Sequence, residues 1–98
     1  MSLKNILSER EGFYINYLNL LTRKYVEILT AIACEDGIEQ PLGKYFLLKY
    51  MIGSASTVKS AMTALIEKET IYRDNEKYVI ADPFFSEWLK RKYKYYII

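Results

Sequence analysis

Hydrophobic residues recur at intervals of three and four between positions 54 and 68, and this spacing predicts an amphipathic helix. The positions expected on its buried face are Val58, Ala61, Met62, Leu65 and Ile66. Gly53 precedes the helix and suits a turn, while Ser54 and Ser56 are both candidate N-caps, of which we favour Ser54. This segment is therefore expected to bury one face in the core and expose the other.

The two segments that follow, residues 70–73 and 77–80, have the length and composition of short strands. A polar connection of hairpin length, residues 74–76, separates them. They are predicted to pair as an antiparallel hairpin. A helix followed directly by such a hairpin is the second half of a winged helix, in which the hairpin is the wing.

Two further helices are predicted upstream, the first helix of the winged-helix core and then the helix that the turn at Gly53 joins to residues 54–68 in a helix-turn-helix. Residues 25–34 have apolar positions at helical spacing and end before Gly37, as helices terminated by glycine do. A second helix is predicted to begin at Pro41, which suits a first helical turn, and to run to Ile52. Its apolar positions are Leu42, Tyr45, Phe46, Leu48 and Met51.

Helices are also predicted towards both ends of the chain. Residues 6–21 are apolar and aromatic, but Gly12 is expected to interrupt them, so that the helix begins at Phe13. Near the other end, Asp82 suits an N-cap and Pro83 the first position of a helix that runs to about Tyr93.

The predicted fold class is therefore mainly α with a small β-hairpin, a winged helix-turn-helix with an additional N-terminal helix. We expect the N-terminal helix to occupy residues 1–22, the winged helix residues 23–93 and a C-terminal tail residues 94–98. A chain of 98 residues has enough apolar surface for one core of ordinary size.

Composition limits the chemistry that this chain can perform. The net charge is only +2, so any contact with nucleic acid must depend on local charge. Histidine is absent and there is one cysteine, which excludes a histidine base and a cysteine-cluster metal site. No secretory signal or membrane-spanning run is evident, and we expect a cytoplasmic protein with no membrane partner.

Two short matches to catalytic motifs fail on inspection. Gly37 and Gly43 resemble the glycines of a phosphate-binding loop, but five residues separate them instead of four, and Tyr45 replaces the required serine or threonine. Ser56 and Lys59 match a serine acyl-transfer pattern without its companion elements. We therefore expect no catalytic, cofactor-binding or metal-binding residues, no small-molecule substrate and no enzyme activity in this chain.

A resemblance to a known family covers most of the chain, from about residue 25 to residue 91. It depends on the ending Asp82-Pro83-Phe84-Phe85-Ser86-Glu87-Trp88-Leu89, which follows a hairpin closing on Tyr78-Val79-Ile80, and on Gly53-Ser54-Ala55-Ser56-Thr57-Val58 with Ala61, Leu65 and Ile66. Together these resemble the C-terminal winged helix of prokaryotic P-loop ATPases of the AAA+/STAND type, in the archaeal-type ATPase family.

The resemblance implies that an ATPase domain and a helical lid precede the winged helix in a longer protein. ATP and Mg²⁺ would then belong to that missing domain, and residues 6–21 would be the end of the lid or the bridge to it. It also implies a structural role for the motif residues Asp82, Pro83, Phe84, Phe85, Trp88 and Leu89. No nucleotide-binding residue of the family matches a position here.

Two functions are compatible with these features. The first is a regulatory or protein-docking module that contacts its own ATPase or lid domain or another protein, which the ten tyrosines favour because interfaces are enriched in tyrosine. The alternative is sequence-tolerant binding of double-stranded DNA by the helix 56–68 and the basic tail.

The candidate DNA contacts are the polar residues of the helix, one wing lysine and the basic cluster before the tail. These residues are Ser56, Thr57, Lys59, Ser60, Thr63, Lys77, Lys90, Arg91 and Lys92, with Lys94 beyond them. Against this alternative, the helix offers one lysine and no arginine, although these two residues make the commonest specific base contacts. Docking is therefore the favoured hypothesis.

Overall fold

The computed structural model describes residues 2–93. This part of the chain contains five α-helices and one two-stranded antiparallel hairpin, which confirms the predicted fold class. In chain order the elements are α1 (Leu3–Asn19), α2 (Arg23–Cys34), α3 (Lys44–Tyr50), α4 (Ala55–Glu67), β1 (Ile71–Asp74), β2 (Lys77–Ile80) and α5 (Pro83–Tyr93). The predicted tail, residues 94–98, lies outside the described residues.

Helix α1 runs without interruption through Gly12, so the predicted break at this residue is wrong. Ser2 caps the helix, its hydroxyl accepting a hydrogen bond from the Asn5 N–H at 3.2 Å. Leu7 lies one turn before Gly12 and Tyr14 soon after it, and both are buried. Packing on both sides therefore offsets the roughly 1 kcal/mol that glycine costs inside a helix.

Helix α2 is the centre of the core, because all six residues from position 28 to position 33 are buried. The predicted stop after this helix is confirmed. Gly37 has φ +105°, a conformation that favours glycine, and its N–H donates to the Ile32 carbonyl at 3.1 Å.

Helix α3 begins at Lys44, so the predicted start at Pro41 is wrong. The Gly43 N–H donates to the Gln40 carbonyl at 3.0 Å, which closes a β-turn with Pro41 at its second position. Proline suits that position as well as it suits a first helical turn, because both use its fixed φ. The helix ends at Tyr50, since Met51 is left-handed with φ 50°, and Ile52 is buried beyond it.

Helix α4 is capped by Ser54, as predicted, with the hydroxyl accepting from the Thr57 N–H at 3.3 Å. Four of the five residues expected on its buried face are buried: Val58, Ala61, Met62 and Leu65. Ile66 is 42% exposed, so that part of the prediction is wrong. Ile66 is turned about 100° around the helix axis from Leu65, which places it at the rim of the buried face.

The second strand has the predicted bounds, but the first lies one residue later than predicted, because β1 begins at Ile71 and not at Thr70. Ile71 pairs with Ile80 and Asp74 pairs with Lys77, so Asp74 belongs to β1 and the loop contains only Asn75 and Glu76. An isolated β-bridge joins Ile38 to the wing. The Ile38 N–H donates to the Tyr78 carbonyl at 3.0 Å, and the Tyr78 N–H donates to the Ile38 carbonyl at 2.8 Å. The loop before α3 is thereby attached to the wing.

Helix α5 has the predicted start, cap and length. Asp82 is its cap, since Oδ1 accepts a hydrogen bond from the Phe84 N–H at 2.9 Å. The helix packs mainly on α2 and α1. The additional N-terminal helix is thus in direct contact with the end of the domain, although the predicted boundary between residues 22 and 23 stays a prediction.

Candidate docking and nucleic-acid surfaces

The contact between α1 and α5, here called the α1–α5 seam, contains most of the motif residues that carry the family resemblance. The rings of Tyr14, Phe85 and Trp88 pack together, with Tyr14 centred 4.9 Å from Phe85 and 5.3 Å from Trp88. The Tyr14 hydroxyl donates to Asp82 Oδ2 at 3.0 Å, and the Trp88 indole N–H donates to Glu11 Oε2 at 2.9 Å. Each polar atom of these large side chains therefore has a partner inside the domain.

The other motif residues support the same seam from its edges. Leu89 is fully buried, while Pro83 is exposed at the first helical position. Phe84 is half-buried, and the Arg10 guanidinium lies 4.7 Å above its ring. Tyr17 and Thr70 share a side-chain hydrogen bond that ties α1 to the start of the wing.

The Trp88 hydrogen bond also fixes the charge of Glu11. It is the main reason that the pKa of Glu11 lies below its ordinary value of 4.5. Burial opposes this shift, and the ammonium of Lys92, 3.5 Å from Glu11 Oε2, adds to it. Glu11 is therefore an anion at neutral pH, and it forms an ion pair with the basic end of α5.

The three basic candidates of α5 all face carboxylates. Lys90 Nζ lies 2.5 Å from Asp36 Oδ1, and Arg91 Nε lies 3.1 Å from Glu87 Oε1. The pKa of Lys90 is raised, chiefly by its hydrogen bond to Asp36. Lys92 pairs with the Glu11 carboxylate described above. The basic cluster therefore offers little uncompensated positive charge to a phosphate backbone, and Lys94 lies outside the described residues.

The five candidates on α4 are exposed, but most of their hydroxyls already bond within the helix. Ser56 and Thr57 each share a 3.1 Å hydrogen bond with the Ser54 hydroxyl. Thr63 donates to the Lys59 carbonyl at 3.0 Å, whereas Ser60 has no such side-chain bond among the described residues. Lys59 forms no ion pair within residues 2–93, so it is the α4 candidate best able to meet an anion.

The wing itself is mixed in charge, with Arg73 and Lys77 against Asp74 and Glu76, but the groove beside it is acidic. An open groove of about 770 Å³ is lined by the carboxylates of Asp36, Glu39, Asp74 and Glu76, with Lys77 beside them. Carboxylates in this position repel DNA phosphates, so Lys77, the wing candidate for a DNA contact, is outnumbered by acids. The α4 and α5 candidates also pack on different elements, α4 mainly on α2 and β1, and α5 mainly on α1, α2 and β2.

Sequence reasoning missed a surface on α3. Tyr45, Leu48 and Met51 are 64%, 70% and 81% exposed, although all three were expected to contribute to the apolar side of a buried helix. Together with Lys44 and Lys49, also exposed, they form what we call the α3 outer face. The spacing could have revealed it, since the buried pair Phe46 and Tyr50 is four residues apart and leaves positions 45 and 48 on the opposite side.

Hydrogen bonds hold one edge of the α3 outer face in place. Lys49 donates to Glu35 Oε2 at 2.8 Å and to the Tyr45 hydroxyl at 3.0 Å, and the Tyr50 hydroxyl donates to Glu35 Oε2 at 2.5 Å. Burial tends to raise the pKa of Glu35, but the bonds from Lys49 and Tyr50 outweigh it, so this pKa lies below its ordinary value. Glu35 therefore stays ionised at neutral pH and anchors α3 to the end of α2.

Neither a metal site nor a membrane-spanning helix is found in the described part of the chain. Residues 2–93 contain no group of three or more acidic or cysteine side chains arranged to hold a metal ion. The five helices described above are each too short or too polar to cross a bilayer.

Comparison with known proteins gives one match. No curated protein and no solved structure matches the chain. A family model described as a probable winged helix domain matches residues 12–91, from the middle of α1 to near the end of α5. Since the matched region covers most of the chain, the protein belongs to this family of probable winged helix domains.

Proposed function

We propose that this winged helix is a non-catalytic protein-docking module whose docking surface is the α3 outer face. The observation that carries the proposal is the exposure of Leu48 and Met51, at 70% and 81%, next to Tyr45. Exposed apolar side chains that lie together are a common mark of interaction sites, and tyrosine and methionine are both enriched in interfaces.

The electrostatics support docking over DNA binding. The basic residues of α5 are paired with carboxylates, and the wing groove is lined mainly by acids. DNA binding draws most of its affinity from lysines and arginines that neutralise phosphates. Burial of leucine and methionine side chains against an apolar partner is favourable, whereas a phosphate group offers them no such stabilisation.

The family resemblance supports a place for this module in a larger ATPase. In that arrangement the partner is the lid or the nucleotide domain of the same protein, and ATP and Mg²⁺ bind there and not to this chain. The single cysteine fits a reducing, cytoplasmic compartment. The lack of a histidine base among the 98 residues supports the assignment of a binding role in place of catalysis.

A binding experiment with the parent protein tests this proposal. The coding region upstream of this chain would be recovered, searched for a phosphate-binding loop and expressed separately, and its affinity for the 98-residue chain measured by calorimetry. Leu48→Glu should weaken binding by at least tenfold, since burying one unpaired charge in an interface costs more than about 1.4 kcal/mol. Leu20→Glu is the matched control, because Leu20 is 82% exposed just after the end of α1 and far from α3 in the chain. Equal affinities for the two variants would refute docking through α3.

Double-stranded DNA binding remains the second candidate because Lys59 and its polar neighbours are exposed on α4. A mobility shift with random-sequence duplex at low salt tests it. If DNA is the partner, a complex should form at low micromolar concentrations and weaken steeply with salt, and Lys59→Glu should weaken it further. If docking is the function, no complex should form at roughly tens of micromolar protein, which is within the range of ordinary non-specific binding.

A further inference from the structure

Helix α3 is attached to the rest of the domain differently from the other helices. Helices α1, α2, α4 and α5 all take part in the extensive backbone contacts between the described elements, whereas α3 takes part in none of these. Two long aromatic side chains, Phe46 and Tyr50, reach from α3 into the core. With seven residues, α3 is also shorter than the length at which a helix is stable in water by itself. It therefore depends on a few side chains to stay folded.

The segment that contains α3 lies between two fixed points. Before it, Ile38 is joined to the wing by its two backbone hydrogen bonds with Tyr78. After it, the Lys24 ammonium donates a hydrogen bond to the Ile52 carbonyl, and the side chain of Ile52 is buried. Residues 39–51 connect these two points, and we call them the α3 strap. Both of its ends are thus anchored independently of α3 itself.

The strap is held tightly at its last turn and loosely where it faces the wing. Glu35, at the end of α2, accepts hydrogen bonds at Oε2 from Lys49 and from the Tyr50 hydroxyl, at 2.8 and 2.5 Å. At the other end, a groove of about 420 Å³ is lined by the first half of the strap and by Lys77 of the wing. One carboxylate therefore contributes two of the bonds that keep α3 against α2.

We propose that the α3 strap opens and recloses as a unit while the other four helices and the wing stay folded, and that Glu35 holds it closed. Opening detaches Phe46 and Tyr50 from the core, whereas the α1–α5 seam keeps its contacts. Segments with few contacts to their surroundings open at a lower free energy than the whole domain. The α3 outer face lies within the strap, so opening alters the docking surface without disturbing the seam.

Amide hydrogen exchange of the full 98-residue chain, measured by NMR at a series of low urea concentrations, tests this opening. The strap is reported by the amides of Leu47 and Met51, which donate to the Gly43 and Leu47 carbonyls at 3.1 and 3.0 Å. The core is reported by the amides of residues 29–33 in α2. Relative to an unfolded peptide, the strap amides should exchange about a hundredfold faster than the α2 amides. Their exchange should also depend less on urea, because less surface is exposed when only the strap opens.

Two variants distinguish a separate strap from a single cooperative unit. Glu35→Gln weakens bonds that exist only while the strap is closed, so it should speed exchange of both sets of amides by the same factor, about three- to tenfold. Tyr14→Phe removes the seam bond to Asp82, which persists when the strap opens. It should therefore speed exchange of the α2 amides about tenfold and leave the strap amides unchanged.

Three outcomes would overturn the proposal. The first is exchange of the strap amides at the same rate and with the same urea dependence as the α2 amides. The second is equal acceleration of both sets by Tyr14→Phe, which would mean that the strap unfolds only with the whole domain. The third is a Glu35→Gln variant whose strap amides exchange no faster than those of the parent. Opening requires no partner, so each of these results leaves docking through α3 to its own binding experiment.

Discussion

The α1–α5 seam and the α3 outer face use the same kinds of side chain for opposite purposes. In the seam, Tyr14, Phe85 and Trp88 are buried, and the tyrosine hydroxyl and the indole N–H donate to carboxylates within the domain. On the α3 outer face, Leu48 and Met51 are exposed and contribute nothing to the core. A high content of aromatic and large apolar residues therefore does not identify an interface; the burial of each side chain does.

The strongest test of this contrast compares Trp88→Ala with Leu48→Ala. Trp88 is almost fully buried in the seam, and its removal should lower the free energy of unfolding by about 3–5 kcal/mol. Leu48→Ala removes a side chain that is already in water, so its effect should stay within about 0.5 kcal/mol. Urea unfolding followed by circular dichroism measures both, and similar losses for the two variants would contradict the contrast.

A smaller effect is expected from the hydroxyl groups of two tyrosines. Tyr14→Phe removes the hydrogen bond to the Asp82 side chain and should cost about 1–2 kcal/mol. Tyr45→Phe removes an exposed hydroxyl on the α3 outer face and should cost at most about 0.5 kcal/mol. The measurement is again the free energy of unfolding. A larger loss for Tyr45→Phe than for Tyr14→Phe would mean that the α3 outer face supports the fold.

A third test changes α1 without altering the seam. A Cβ at Gly12 would meet no atom within 4 Å, so Gly12→Ala should stabilise the domain by about 0.8–1 kcal/mol through helix propensity alone. Gly37→Ala is the opposite case, because φ is +105° and a Cβ would lie 3.0 Å from Val79 Cγ1. The midpoint of thermal unfolding should rise for the first variant and fall for the second. A fall for Gly12→Ala would show that this part of α1 depends on a contact that only glycine permits.

Sequence patterns predicted the parts of the fold that depend on neighbouring residues. The start of α5 follows from Asp82 and Pro83, the cap of α4 from Ser54 and the wing from two strands with a polar loop, and each is confirmed with at most small shifts. The predictions of a helix break at Gly12 and a helix start at Pro41 were wrong because each residue type is compatible with two local structures. Glycine weakens a helix without ending it when packing on both sides is strong, and proline suits a turn as well as a helix start.

The candidate site was harder to predict because its properties depend on distant parts of the chain. Lys90 resembles a free cation in the sequence, but its partner Asp36 is 54 positions away. Trp88 and Glu11 are separated by 77 positions. No local pattern contains these two pairings. The exposure of Leu48 is different, because the four-residue spacing of the buried pair Phe46 and Tyr50 already separates the two sides of α3.

The smallest expected effect concerns the charge of Glu11, which distinguishes the seam from a merely apolar contact. The pKa of Glu11 is lowered in the folded state, mainly by the Trp88 hydrogen bond. Its ionised form therefore stabilises the domain above its ordinary pKa of 4.5, and this contribution is lost as the pH falls through the lowered value.

Glu11→Gln keeps an oxygen for the indole N–H but removes the charge, so the variant should be less stable than the parent at neutral pH. This difference in the free energy of unfolding should become smaller as the pH falls below 4.5. Glu9→Gln, an exposed change on the same helix with no ion pair among residues 2–93, is the matched control. Urea unfolding across this pH range measures the difference, and a difference between Glu11→Gln and the parent that stays constant with pH would mean that Trp88 is held by packing alone.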